Sequence, residues 1–206
     1  MTASSSSRRR AVLIDVGGVL VDDDLDAAAA MWGSRLGMTA EDFLGAVFAG
    51  NDEQVLIGRV SEDAWWAIVA GRLRIGPDLV AAIRHDLAVR QIWDPALLAC
   101  LRRVRARAAI AIVSNAWPGT RAGIASAGLD GLTDAVVLSC EVGWAKPDPR
   151  IFAATLDRLG VDAGQALFVD DTPGHVEAAR SLGMAGHLHT GTGGTIERME
   201  TFVAAA

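Results

Sequence analysis

The sequence predicts a doubly wound α/β fold: a Rossmann-like parallel sheet with an all-helical cap inserted after the first strand. Three observations carry that expectation. Short runs that are apolar throughout and end in polar residues or turns recur at 11–15 (AVLID), 109–114 (AIAIVS), 134–138 (DAVVL) and 166–170 (ALFVD), with a weaker fifth at 185–188. Runs of this kind suit strands covered on both faces. Helical patterns lie between them, over roughly 118–127, 149–159, 174–182 and 195–204. Alternation of this sort implies parallel strands joined by right-handed crossovers. Finally, from about Asp22 to Arg107 there is no convincing strand, only helix-like segments.

Taken in order, residues 1–9 read as a disordered tail, with Arg8 to Arg10 a solvated charge run. A secretory leader is not expected, because Asp15 and the glycines after it interrupt any apolar stretch. Residues 10–21 and 108–206 are assigned to the α/β core and residues 22–107 to the cap. Within the cap, AAAAMWGSRLG (27–37), AEDFLGAVFAG (40–50), SEDAWWAIVAGRL (61–73) and PDLVAAIRHDLA (77–88) each space their apolar residues as helices do. Ser61, with Asp63 and Ala64, fits a helix start, and Pro77 and Pro95 fit first-turn positions. A helical block inserted there would sit over the carboxyl end of the first strand.

Composition narrows the partners. A chain of 206 residues that is 51% hydrophobic can bury one domain with an insertion, and its net charge of −6 offers no basic field for nucleic acid or an anionic membrane. No apolar stretch is long enough to span a bilayer. Cys100 and Cys140 are far apart in apolar surroundings, which suggests a reducing, cytoplasmic compartment with neither a disulfide framework nor a cysteine metal cluster. No feature speaks to oligomeric state.

Asp15, Ser114 and Asp170 all fall at the carboxyl ends of expected strands, where open α/β sheets bind ligands. A carboxylate at the end of a buried strand is costly unless it is used or paired, and Asp15 is a candidate nucleophile for phosphoryl transfer. Taken alone it would read more simply as a strand-end turn acid. Ser114 and Asn115 offer a hydroxyl and backbone N–H groups to phosphate oxygens, although a plain strand-to-helix turn has the same composition. Lys146, flanked by Pro147 and Pro149 on a stiff segment, can neutralise both Asp15 and a phosphate. The adjacent Asp170 and Asp171 repel each other unless a cation joins them, and such hard oxygen ligands suit Mg²⁺. Gly17 and Gly18 allow backbone N–H groups to approach a phosphate closely. His175 receives no role, and His85, His187 and His189 show no metal-ligand spacing. Trp32, Trp65, Trp66, Trp93 and Trp117 are expected mainly as core; Trp144, just before Lys146, is expected at the site mouth.

In this order, DVGGVL (15–20), VSN (113–115), AKPDPRIF (145–152) and FVDDTPGHVEAARSLGM (168–184) resemble the motifs of the haloacid dehalogenase-like hydrolase superfamily. GRVSEDAWW (58–66) is similar to a cap-helix junction of that family, and the nearest likeness is to its helical-cap branch of sugar-phosphate phosphatases, α-glucose-1-phosphate phosphatases among them. The resemblance implies a Mg²⁺-dependent phosphatase of small phosphorylated metabolites that works through an aspartyl-phosphate on Asp15. It also implies a metal held by Asp15, the Gly17 carbonyl, Asp170 and Asp171, and a phosphate bound by Gly17, Gly18, Ser114, Asn115 and Lys146. Relatives carry a second aspartate, a general acid, where this chain has Gly17. Two alternatives are a 2-haloacid dehalogenase-like carbon–halogen hydrolase, which needs no metal, and a weak relative kept for binding or regulation.

Overall fold

In the computed structural model, which describes residues 10–22 and 24–205, the strands are β1 (Arg10–Ile14), β2 (Val21–Asp22), β3 (Ile92–Trp93), β4 (Ala108–Ser114), β5 (Ala135–Leu138), β6 (Ala166–Asp170) and β7 (Ala185–Leu188). All but β2 and β3 form one parallel sheet in the order β5–β4–β1–β6–β7. The helices are α1 (Leu25–Leu36), α2 (Ala40–Phe48), α3 (Glu62–Leu73), α4 (Pro77–Val89), α5 (Pro95–Val104), α6 (Thr120–Ser126), α7 (Ser139–Val142), α8 (Pro149–Leu159), α9 (Pro173–Ser181) and α10 (Thr192–Ala204). The doubly wound fold expected from the sequence is the one present. β1 lies centrally, with the chain crossing to β4 on one side and β6 on the other, so the strand order reverses beside β1 and opens a crevice at its carboxyl end.

Strand composition explains the layering. Val12 and Ile14 of β1, Ile110 and Ile112 of β4, and Leu167 and Val169 of β6 face one side of the sheet, under α5 and α10. Their alternating neighbours Ala11, Leu13, Ala109, Ala111 and Phe168 face the other, under α8 and α9. A strand alternates faces at every residue, so both must be apolar when both are covered. A separate core of Trp32, Phe43, Val47, Trp65, Trp66, Val69 and Ile83 holds α1–α4 together. Ser61 caps α3, its hydroxyl accepting the Ala64 N–H at 3.2 Å, and Pro77 and Pro95 open α4 and α5.

Three local expectations differ from the structure. The block from 22 to 107 is not strand-free: β2 and β3 pair antiparallel, Val21 opposite Trp93, where the chain leaves the sheet and returns to it. Two-residue strands carry too little periodicity to be seen in the sequence. α5, inside that same block, packs on the sheet through Leu97, Leu98, Cys100, Leu101 and Val104. Its apolar residues form a sharper one-sided stripe than those of α1–α4, as do those of α8 on the other face of the sheet. Arg10 is not part of a solvated run; it begins β1, its guanidinium lies 4.6 Å over the Phe202 ring, and it donates to the carbonyls of Phe202 and Ala205 at the end of α10. A cation suits that helix terminus. The tail expected over residues 1–9 lies outside the described residues.

Candidate active site

β1, β4 and β6 end side by side, and their register brings together residues that are far apart in sequence. Asp15 follows β1, its own N–H donating to the Val169 carbonyl of β6 at 3.0 Å, so the strand ladder sets its position. One side-chain oxygen accepts the Val16 N–H at 2.7 Å; the other meets the Lys146 ammonium at 2.8 Å. That same ammonium lies 2.6 Å from the Asp170 carboxylate at the end of β6. All three groups are nearly inaccessible to solvent: Asp15 is 7% exposed, Lys146 3% and Asp170 0%.

One buried cation thus serves two buried anions, and the two carboxyls diverge. Burial pushes the Asp15 carboxyl above its ordinary range, and the nearby Asp170 charge adds to the rise; the Lys146 charge and hydrogen bonds from Lys146 and Ser114 oppose it. Burial also raises Asp170, but a hydrogen bond from His175, the Lys146 ammonium and the Thr172 N–H outweigh it and bring the carboxyl down to about 2. Asp171, exposed, completes a cluster in which Asp15, Asp170 and Asp171 present oxygens within 4.8 Å of one another. This all-carboxylate donor set could hold a hard divalent cation.

The surrounding residues fix this geometry. Asn115, after β4, makes a two-point contact with the backbone of Lys146: its side-chain oxygen accepts the Lys146 N–H at 2.7 Å, and its amide donates to the Lys146 carbonyl at 2.9 Å. The Asn115 side chain is therefore committed to the lysine segment, which the sequence expectation of phosphate binding did not include. His175 lies on the first turn of α9, with Nδ1 3.1 Å from Asp170, a contact that position alone did not reveal. Gly18 has φ +69°, and a Cβ there would stand 2.1 Å from a carboxylate oxygen of Asp171. Any side chain at 18 would push Asp171 out of the cluster. At Gly17 a Cβ would meet nothing within 4 Å.

Above the strand ends is a cavity of about 530 Å³. Its floor includes Val16, Gly17, Ser114, Asn115 and Ala116; its walls come from Phe48, Asn51, Leu56, Glu62, Trp66, Arg84, His85, Leu87, Ala88 and Trp117. The Trp117 indole donates to the Asn51 side-chain oxygen at 2.6 Å, and the Trp66 ring meets Trp117 edge-on at 5.4 Å. Among the described residues the buried Trp66 N–H has no hydrogen-bond partner. One expectation is corrected here. Trp144 does not line this cavity: it packs against the α8–α9 side of the sheet, with Arg150 5.1 Å over its ring. Trp66, in the core as expected, and Trp117, packed against that core, also line the cavity. Neither Asp22 nor Asp24 lines it; Asp22 accepts the Asp24 N–H, and Asp24 pairs with Arg90 at 3.2 Å. Asp23 lies outside the described residues.

The sequence pattern of the haloacid dehalogenase-like hydrolases matches residues 9–183. The chain belongs to this family. A bifunctional epoxide hydrolase 2 from Sus scrofa is 27% identical over 213 residues; the match covers 93% of this chain, which spans only 38% of that relative's length. A family enzyme from Bacteroides thetaiotaomicron, solved in complex with magnesium and inorganic phosphate, superposes with a TM-score of 0.71 at 21% identity, covering 87% of this chain and 93% of its own. The L-2-haloacid dehalogenase from Xanthobacter autotrophicus, with chloropropionic acid covalently bound, gives a TM-score of 0.62 at 23% identity, covering 85% and 75%. At these identities the structural likenesses speak to the fold. Among the described residues no helix is long and apolar enough to cross a membrane, and Cys100 and Cys140 are free thiols.

Proposed function

We propose that this chain is a Mg²⁺-dependent phosphatase of small phosphorylated metabolites, with Asp15 as nucleophile. The observation that carries the proposal is the shared Lys146 ammonium between Asp15 and Asp170, with Asp171 completing a carboxylate cluster beneath a cavity. Carbon–halogen hydrolysis by an aspartate would need no such cluster. The family member solved with magnesium and inorganic phosphate supports the same choice.

In the proposed reaction an Asp15 carboxylate oxygen attacks phosphorus, the bond from phosphorus to the leaving oxygen breaks, and an acyl phosphate forms. Water then cleaves it, releasing phosphate and restoring Asp15. The Val16 N–H and Lys146 hold the two Asp15 oxygens, so the nucleophile is aimed before substrate arrives. Lys146 neutralises charge on both carboxylates and on the incoming phosphate, while Ser114 and the backbone around Gly17, Gly18 and Asn115 receive phosphate oxygens. Mg²⁺, held by Asp15, Asp170, Asp171 and the Gly17 carbonyl, would supply further charge neutralisation. His175 positions Asp170. The helices α1–α4 act as the cap over the leaving group, and we place the protein in the cytoplasm.

The experiment is phosphate release from a panel of phosphate monoesters with and without Mg²⁺, repeated for Asp15→Asn. Turnover should require the metal and fall to background in the variant, and beryllium fluoride should be trapped on Asp15 of the parent. Metal-independent consumption of a 2-haloacid, or full turnover by Asp15→Asn, would overturn the proposal.

A further inference from the structure

The geometry points to an uncharged, largely apolar leaving group, of the aryl type, in preference to one carrying a second phosphate or a carboxylate. The inference rests on the phosphatase proposal above and narrows its substrate class.

The apolar side chains of the cavity lining include Phe48, Leu56, Trp66, Leu87 and Trp117, beside the polar Asn51, Glu62, Arg84, His85 and Gln91. Trp117 is tied to Asn51, and Trp66 abuts Trp117 edge-on, so these rings are fixed surfaces. Burial of an apolar group against them is favourable, and an aromatic group gains further from ring contacts.

The charges of the wall point the same way. Among the described residues, Arg84 is the one arginine of the cavity lining, which contains no lysine. Its guanidinium is already engaged by Asp63 at 2.8 Å and Glu62 at 3.4 Å, so these three side chains together carry one net negative charge. Glu62 itself lines the cavity and also accepts the Gly119 N–H at 2.9 Å. A second anion would leave water for a wall whose cation is already matched twice over and whose carboxylate repels it. Burying a charge without a partner is strongly unfavourable. His85 is the other titratable group of the wall.

The test compares phenyl phosphate with meta-carboxyphenyl phosphate, whose leaving groups are of similar acidity but differ by one charge. With Mg²⁺ present, kcat/KM for the neutral ester should exceed that for the carboxylated one by about tenfold or more, as a single uncompensated charge contact would produce. Ala88 lines the cavity from α4 and is exposed, so Ala88→Lys adds a cation there without touching the carboxylate cluster. It should narrow the preference several-fold by raising turnover of the carboxylated ester. Equal kcat/KM values, or a preference for the carboxylated ester, would overturn the inference. Ligand-observed NMR with phenol and meta-hydroxybenzoate, which needs no hydrolysis, keeps the two proposals separable. If neither aryl ester is cleaved while another monoester of the panel is, this inference falls and the phosphatase proposal stands. If no monoester is cleaved, the phosphatase proposal falls, and the order of binding of the two phenols still reads the charge preference of the wall.

Discussion

The two sides of the cavity handle charge in opposite ways. At the strand ends, charges are buried, close together and interlocked: one ammonium between two carboxylates, each anchored to the backbone. On the facing helices the charges are paired laterally, Arg84 with Glu62 and Asp63, and Arg90 with Asp86 and Asp24. Apolar rings face the cavity beside the Arg84–Glu62 pair and His85. A frustrated cluster of like charges is a poor way to stabilise a fold and a good way to hold a cation and a phosphate. The helical wall is ordinary packing with a cavity beside it. Changes at the strand ends should therefore alter chemistry, and changes on the helices should alter stability or choice of substrate.

The largest effect expected from this contrast is at Asp171. Asp171→Ala removes an exposed carboxylate of the cluster, so the fold should persist while Mg²⁺ binding and turnover are both lost. Calorimetry showing unchanged Mg²⁺ affinity would remove Asp171 from the site. Lys146→Met comes next. It leaves Asp15 and Asp170 buried without their counter-charge, and breaking such a pair typically costs about 3–5 kcal/mol. Turnover should fall by about 10²–10³-fold, as when one transition-state charge stabiliser is removed. Urea titration with and without Mg²⁺ measures the first part, and the metal should recover some of the lost stability. An unchanged midpoint in metal-free buffer would show that the two acids share a proton instead.

Gly17→Asp tests what the cluster lacks. Without a general acid, rates should depend steeply on leaving-group acidity; a proton donor at 17 should raise kcat/KM for poor leaving groups by about 10²-fold or more and flatten the slope. The open space at the Gly17 Cβ makes this a fair trial. Equal slopes would mean that another group, such as Glu62 or His85 of the cavity wall, already donates the proton. The smallest effect belongs to the helices. Ser61→Ala removes the cap of α3 and should cost about 1 kcal/mol with Mg²⁺ affinity unchanged. A loss of metal binding in that variant would break the separation between the two sides.

The same contrast explains what could be read from the sequence. Asp15, Ser114 and Asp170 were visible because each closes an apolar strand, and a polar residue there has few structural reasons to exist. Lys146 was visible through its prolines. The Asn115 contact with Lys146 was not, because it joins two loops 31 residues apart and leaves no local pattern. His175 was equally hidden, since a histidine in a first helical turn is common and only the strand end beside it gives it a partner. Trp66 and Trp117 could not be told from core, because each is also packed; a cavity is a property of several helices together and has no period of its own. α5 is a different case: its apolar stripe is sharper than those of α1–α4 and like that of α8, so its place on the sheet left a mark in the sequence.

The two adjacent glycines that open the site stand under different mutational rules. A glycine codon ending in a pyrimidine becomes an aspartate codon by a single base change, so position 17 can gain an acid in one step, and the backbone there raises no steric objection. Position 18 has no such freedom: its left-handed backbone and the Asp171 carboxylate against it exclude every side chain for as long as that carboxylate stays in the cluster. Gly18 is held by geometry, whereas Gly17 meets no such steric bar at its Cβ. On the proposed reaction, one base change at position 17 would therefore turn an unassisted hydrolase into an acid-assisted one with no clash at the Cβ.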